Sequence, residues 1–402
     1  NYRRGFMVMP ERAGYLKKIP VLAAAALLLC LLPLKVEAAP DPLVQELEEE
    51  LDFTYFDRYW SELEQEVNEY LPGLHWRDFL ERLQEGEVAL DPGLLLSGLG
   101  RFLAGEVLLN LKLMGQLLLL AVAAAFLTNL ETAFEREQVA ALTRGIIFIV
   151  LVGICLYTFK AAVEVAGSAI NNMVDFTLAM LPTLSALLAA QGSLASSAML
   201  HPLVIFGINF FSTAIRGAIF PLIFLSTVLG LANHFSPHFK VGKLSDFFRD
   251  LSTWGIGLFM TIFMGIVTIQ GAAGTVSDAV SLRTAKYMTG VFIPVVGKML
   301  ADSVETVAGA SLMLKNGIFL AGTVVLLLLA FFPLLKLAAM AIVIKLSAAL
   351  VQPLGENSLG DAINTMGNSL VMIFGVLACA AVLFILAVTV VVGAGNATVM
   401  FR

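Results

Sequence analysis

Charge is what this chain has least of. Asp, Glu, Lys and Arg make up 14% of its 402 residues, against about 25% in an ordinary soluble domain. At this length a soluble reading needs two or three domains, and there is almost no charge to cover their surfaces. Soluble enzyme, disordered chain and nucleic-acid binder are excluded as whole-chain readings. Cysteine is nearly absent as well. Cys30, Cys155 and Cys379 all lie in apolar runs, with no CxxC, which excludes a disulfide framework and leaves them as small hydrophobes. Catalytic signatures are missing: there is no HExxH, no GxGD and no Walker A loop. No cofactor or metal motif is present. What fills the chain is apolar: 58% of residues are hydrophobic and the mean hydropathy is +0.87. The composition is that of an all-α, polytopic membrane protein.

The net charge of −6 averages three unlike regions. Residues 1–38 are basic, residues 39–100 carry sixteen Asp/Glu against only Arg58, Arg77 and Arg82, and residues 101–402 are slightly basic. An acidic block of that size does not bind nucleic acid or anionic lipid by charge. The leader reads as a signal peptide. Lys17 and Lys18 precede the apolar residues 19–34, and Val36-Glu37-Ala38 offers a small-residue cleavage pattern. An uncleaved anchor is the alternative, although the run falls short of the roughly 20 residues that span a bilayer. Cleavage places the acidic block outside the cytoplasm.

Within that block, residues 39–100, the spacing of Leu43, Leu47 and Leu51 and of Phe56, Tyr59, Leu63 and Val67 predicts amphipathic helices. Thr54-x-x-Asp57 reads as a capping box, Leu71-Pro72-Gly73 as a stop, and Asp91-Pro92 as the start of the helix entering the membrane. Tyr55, Phe56, Tyr59 and Trp60 are a small core or a partner-binding patch.

Residues 101–402 form the multi-pass region. Apolar runs near 107–130, 145–160, 173–190, 203–232, 252–270, 287–300, 317–351 and 369–392 predict about 8–10 membrane segments. Sliding the chain by 112 residues brings Gly145 onto Gly257, Pro182 onto Pro294 and Phe220-Pro221-Leu222 onto Phe332-Pro333-Leu334. Glycine and proline mark helix contacts and breaks, so an internal duplication, 145–232 and 257–344, is expected. Pro182, Pro221, Pro294 and Pro333 are the candidate helix breaks. The most basic loop, 233–250 with Lys240, Lys243 and Arg249, should be cytoplasmic and is a candidate docking surface. Counting each run as a crossing, this requires 203–232 to be a hairpin with Arg216 near its tip, and it places the C-terminus outside.

Charges inside apolar runs are expensive in lipid and mark function or interior-facing positions. The candidates are Asp175, Arg216, Lys336 and Lys345; Lys112 and Lys336 can snorkel from helix ends. Gly309-Ala310-Ser311 has no histidine partner and reads as coincidence. His201-Pro202 reads as a helix start, and His234 and His238 as loop residues rather than zinc ligands.

One block goes further. SLRTAKYMTGVFIPVVGKMLADSVETVAGASLMLKNGI at 281–318 closely resembles the stage III sporulation protein AE family of endospore-forming bacteria. HPLVIF at 201–206, KLSAALVQPLG at 345–355, AGNATVM at 394–400, DRYW at 57–60 and YLP at 70–72 resemble it too. The resemblance implies a mother-cell membrane protein of the stage III sporulation A complex, acting around the engulfed forespore. Its implied partners are a cytosolic ATPase, ring-forming subunits in the intermembrane space and a forespore-membrane protein. Together they are expected to build a channel needed for late forespore gene expression. The resemblance transfers no catalytic residues. A stand-alone secondary transporter is the competing reading, supported by the duplication and the intramembrane charges.

Overall fold

The structure is a computed structural model describing residues 58–59, 61, 92–134, 137–235, 240–292, 296–354 and 357–400. The leader and nearly all of the acidic segment lie outside the described residues. What is described is helical, with no strand. The elements are α1 (Pro92–Phe134), α2 (Glu137–Ala190), α3 (Leu194–Phe235), α4 (Gly242–Phe292), α5 (Val296–Val351) and α6 (Asn357–Met400), with a 3-10 turn Gln352–Leu354 after α5. Each contains a stretch apolar enough to cross a membrane. In lipid no water serves the backbone, so continuous helices that satisfy every internal N–H and C=O are the stable solution. At 1.5 Å per residue α2 is about 81 Å long and α5 about 84 Å. A single crossing of roughly 30 Å of hydrocarbon therefore leaves part of each outside that layer.

Helices α2, α5 and α6 form the centre. Phe176 and Met180 of α2, Leu326 and Leu337 of α5, and Leu377 and Phe384 of α6 are fully buried. Ala378, Ala380, Ala381 and Ala387 of α6 are also buried. Small residues let helix backbones approach closely, which is how helices associate where no hydrophobic drive separates protein from solvent. The α1 helix packs on α5 through Phe102 and Phe332, whose rings are 5.2 Å apart. The α3 and α4 helices form a pair lying against α6. Large apolar side chains on α4, among them Leu251, Trp254, Leu258 and Ile269, face outward. In a membrane protein that stripe is the surface lipid covers.

The apolar runs fall on six long apolar helices among the described residues, where about 8–10 segments were expected. The runs 145–160 and 173–190 join in α2, because nothing between them breaks a helix: the intervening Lys160 and Glu164 face out and pair at 3.6 Å. The expected hairpin at 203–232 is absent, and α3 runs straight through. Pro221 lacks an N–H and its ring clashes with the carbonyl four residues back. A π-helical turn at Ile215–Ile219 absorbs that defect, with the Phe220 N–H reaching back to the Ile215 carbonyl. Pro182 and Pro333 lie within α2 and α5, Pro202 lies within α3, and Pro294 lies outside the described residues. His201-Pro202 is thus interior to a helix that starts at Leu194 rather than a helix start. The pairs α2–α3 and α4–α5 share a helix–break–helix plan. Without gaps, however, the offset would place the second break near residue 304, whereas α5 is already helical from Val296.

Candidate functional site

Two polar regions sit inside this apolar bundle, and each is built where chain reversals bring several helices together. At the α3–α4 turn, Ser226 and Ser245 exchange bonds: the Ser226 hydroxyl donates to the Ser245 carbonyl at 2.8 Å, and the Ser245 hydroxyl to the Ser226 carbonyl at 2.7 Å. Both residues are buried. The Gly242 N–H, at the start of α4, donates to Asn233 Oδ1 at 3.0 Å, satisfying one of the orphan donors of a helix start. From α6, the hydroxyl of Ser369 meets that of Thr227 at 2.8 Å, Thr365 meets His234 Nε2 at 3.1 Å, and Ser358 donates to the His234 carbonyl at 2.6 Å. Gly230 permits this approach, since a Cβ there would stand 2.8 Å from Thr365 Cγ2.

These contacts enclose an open cavity of about 180 Å³ between α3, α4 and α6. Its wall includes Asn233, His234, Asp246, Arg249, Thr365 and Asn368. Arg249 is half-buried and pairs with Asp246 at 2.6 Å. Lys240 and Lys243 are exposed beside it. Donors, acceptors and both signs of charge line the space, so it can receive a polar or charged side chain. Its one hydroxyl–imidazole pair among these wall residues is Thr365 with His234, and the Thr365 hydroxyl also donates to the Asp361 carbonyl at 2.9 Å.

The second region is at the α2–α3 reversal. Gly192 has φ 85°, and its N–H bonds to the Ala189 carbonyl while that of Ser193 bonds to the Leu188 carbonyl. This is a Schellman close, which favours glycine at that position. Asp278 of α4 then caps α3 from outside its own sequence. Its Oδ1 accepts the Ala195 N–H at 2.7 Å and its Oδ2 the Ser196 N–H at 3.0 Å. Gly274, one turn earlier, lies so close that a Cβ would stand 2.9 Å from Ser196 Cα. Lys315 of α5 is wholly buried and donates to Gln191 Oε1 and to the Val392 carbonyl of α6, each at 3.2 Å.

The intramembrane charges expected to carry function are scattered. Asp175, Arg216 and Lys345 are exposed, and Lys336 is half-buried. Arg216 sits in the π turn and donates to Ser212 Oγ at 2.9 Å. The stem of Lys345 lies against Gly367 of α6. Of the docking candidates, Arg249 lines the cavity, and Lys240 and Lys243 are exposed. Sequence reasoning missed Lys315 and Asp278, because a single charge beside a polar residue, Asn316 or Ser277, reads as a solvated face. The signal that could have found them is apolar flanking, Leu312–Leu314 before Lys315 and Val276 and Val280 around Asp278. His234 is not a loop residue but lies in the last turn of α3 and lines the cavity, whereas His238 lies outside the described residues. No group of three His, Cys, Asp or Glu that could hold a metal occurs among the described residues. Ser311 stands one turn from Lys315, a hydroxyl and an amine, but both are fully enclosed, so no substrate carbonyl could reach them.

The fold and both regions define an all-α, multi-pass membrane protein whose polar chemistry lies at helix junctions. Its sequence places it within one family. The stage III sporulation protein AE family model matches residues 74–395, and the chain belongs to that family. It is 36% identical over 344 residues to the stage III sporulation protein AE of Bacillus subtilis (strain 168), covering 86% of each chain. No solved structure matches. The family gives this membrane protein its role in sporulation.

Proposed function

We propose that the chain is the large membrane subunit of the channel complex that joins mother cell to forespore, and that it acts by assembly rather than by catalysis. Family membership over 86% of the chain is the observation that carries this reading. An architecture with polar docking space between α3, α4 and α6 fits it. In this reading the partners are a cytosolic ATPase, ring-forming subunits in the intermembrane space and, through the complex, a forespore-membrane protein. Residues 39–100 stand outside the cytoplasm, facing the rings. Each of the six helices is one crossing, so α1 enters, α2 leaves and α3 enters again. The α3–α4 turn with Lys240, Lys243 and Arg249 is then cytoplasmic, and the cavity beside it is the docking surface for the ATPase.

Tagged protein purified in mild detergent from sporulating cells after engulfment tests this. Ring subunits and ATPase should co-elute in fixed ratio. A lone monomer or homodimer would overturn the reading. Reversing Lys240, Lys243 and Arg249 to glutamate should reduce ATPase recovery while leaving ring subunits in place; undiminished recovery removes the docking assignment. The buried Lys315 favours one second reading, a stand-alone secondary transporter, because an enclosed ionisable group in a membrane bundle commonly marks a transport path. Ion-coupled uptake into liposomes by the chain alone would establish it.

A further inference from the structure

The uncharged stretches of α2 are too short to cross a membrane. Within its apolar span, Gly145–Ala190, the longest are residues 145–159 and 176–190, and each falls short of the roughly 20 residues a crossing needs. Any crossing within that span therefore takes Lys160, Glu164 or Asp175 into the hydrocarbon layer. These charges do not stand alone. Lys160, Glu164, Ser168, Asn171 and Asp175 recur every three or four residues and, at 3.6 residues per turn, fall within about 80° of the helix surface. Lys160, Glu164, Ser168 and Asp175 are exposed, and Asn171 is half-buried. The Lys160 and Glu164 side chains keep 74% and 67% of their surface while pairing at 3.6 Å. The stripe faces away from the bundle.

The α4 helix shows what lies at that depth. Phe159 packs on Phe224 with ring centres 5.5 Å apart, and Ser185 meets His201 at 2.8 Å, so α2 residues 159–185 run beside α3 residues 224–201. Ile219 and Gly207 of α3 in turn lie against Gly255 and Phe263 of α4. Residues 255–263 of α4 thus stand level with the middle of that α2 interval, where Ser168, Asn171 and Asp175 lie. Yet α4 carries no charge from 251 to 277, and a crossing of about 20 residues placed anywhere in that stretch includes 258–270. Trp254, Leu258 and Ile262 are exposed there and suit lipid. At one depth the bundle offers an apolar side on α4 and a polar side on α2.

We propose that the polar face of α2 lines a water-filled passage for small hydrated cations, enclosed by several copies of this chain. Copies in one membrane share one orientation, so their α2 faces meet in parallel. Lys160 and Glu164, one turn apart, offer both signs to a neighbouring copy, and the serine and asparagine groups hydrogen-bond between helices. Asp175 decides between a dry contact and a wet one. Parallel copies bring this carboxylate opposite its own counterpart, and like charges in dry contact repel, whereas water between them removes the conflict. The ring of carboxylates left after Lys160 and Glu164 cancel favours cations. The passage deepens the channel reading and rests on it only for what the cell sends through.

The test uses the full chain in sporulating cells, its own cysteines replaced by alanine, with one new cysteine at a time. The thiolate is the reacting form and hydrocarbon disfavours it. Ser168→Cys and Asn171→Cys should therefore react with water-soluble methanethiosulfonates at least about tenfold faster than Leu258→Cys and Ile262→Cys. A cationic reagent should outpace an anionic one at Ser168→Cys by more than it does at free cysteine, and Asp175→Asn should remove that excess. A flexible bis-maleimide should join two chains through Ser168→Cys. Stripe positions as slow as those on α4 would overturn the proposal. So would α4 positions as fast as the stripe, since that depth would then lie outside the membrane. Failure to join two copies would overturn the shared passage, and a charge preference unchanged by Asp175→Asn would overturn the role of the carboxylates. These readings come from the chain itself, so they fail or succeed separately from co-elution with ring subunits and ATPase.

Discussion

Asp278 makes the sharpest demand on this structure, because one buried side chain closes the start of a helix more than eighty residues away. The Ala195 and Ser196 N–H groups are two of the four donors that α3 cannot satisfy internally. Their acceptor is a carboxylate only 1% exposed. Each bond to a charged acceptor is worth about 1.5–3 kcal/mol, and removing the acceptor strands a buried donor. Asp278→Ala removes both bonds and should destabilise the protein by about 3–4 kcal/mol, taking the lower part of that range for each. Asp278→Asn keeps one carbonyl oxygen and no charge, and should cost about half as much. The control is Asp250→Ala, an exposed residue on the same helix, expected within about 0.5 kcal/mol of the parent. Equilibrium unfolding by sodium dodecyl sulfate in mixed micelles, followed by far-ultraviolet circular dichroism, gives all three values. Amide exchange at residues 195 and 196 should accelerate in the alanine variant before exchange in α6 does. An alanine variant within about 1 kcal/mol of the parent would refute the capping argument. So would an asparagine variant as damaged as the alanine one, because the acceptor geometry would then be irrelevant.

Two further outcomes follow from the same reversal. Gly192→Ala should cost about 1 kcal/mol, since φ 85° places an L side chain in the left-handed region; no measurable loss in the same unfolding assay would mean that the turn relaxes freely. Gly274→Val should cost about 1–3 kcal/mol by overpacking, because the Cβ meets Ser196 backbone at 2.9 Å rather than the tip of a flexible side chain. That variant should also weaken the Asp278 cap, so its loss and that of Asp278→Ala should add to less than their sum in a double-mutant cycle.

Fold class was legible because it depends on composition: low charge, high hydropathy and long apolar runs leave helices as the solution. Helix number was less legible. A run interrupted by Lys160 and Glu164 looks like two spans, but exposed charges at i, i+4 do not break a helix; they pair along its outer face. Proline misled in the same way. Pro221 was expected to bend the chain, and its missing N–H is instead absorbed by one π turn, which period counting does not detect. Of the three basic residues in the α3–α4 loop, Arg249 lines the cavity, a placement that charge density along the sequence does not encode. The Asp278–Ser196 and Lys315–Gln191 contacts were not legible either, because each joins residues about 80 or more positions apart and no single-chain pattern encodes such pairs.

Helix number bears directly on topology, because sidedness is a matter of parity. With runs 145–160, 173–190 and 203–232 taken as separate crossings, three passes after α1 would put the basic α3–α4 turn outside, and a hairpin at Arg216 was needed to restore it. With the continuous α2 and α3 each counted as one crossing, as proposed above, the hairpin is not needed: two passes after α1 return the chain to the side of Arg136 and Arg144, in keeping with positive-inside bias. The hairpin disappears, and the cytoplasmic side of that turn is proposed without it. In the topology proposed above, Lys243→Cys in a chain whose own cysteines are replaced by alanine should resist an impermeant thiol reagent applied to intact cells and react after permeabilisation. Thr398→Cys, near the end of α6, should react from outside without it. Labelling of position 243 from outside would reverse the whole arrangement, carrying the docking cavity away from any cytosolic partner. Protection of 398 with 243 still inside would mean that one of α4, α5 or α6 does not complete its crossing.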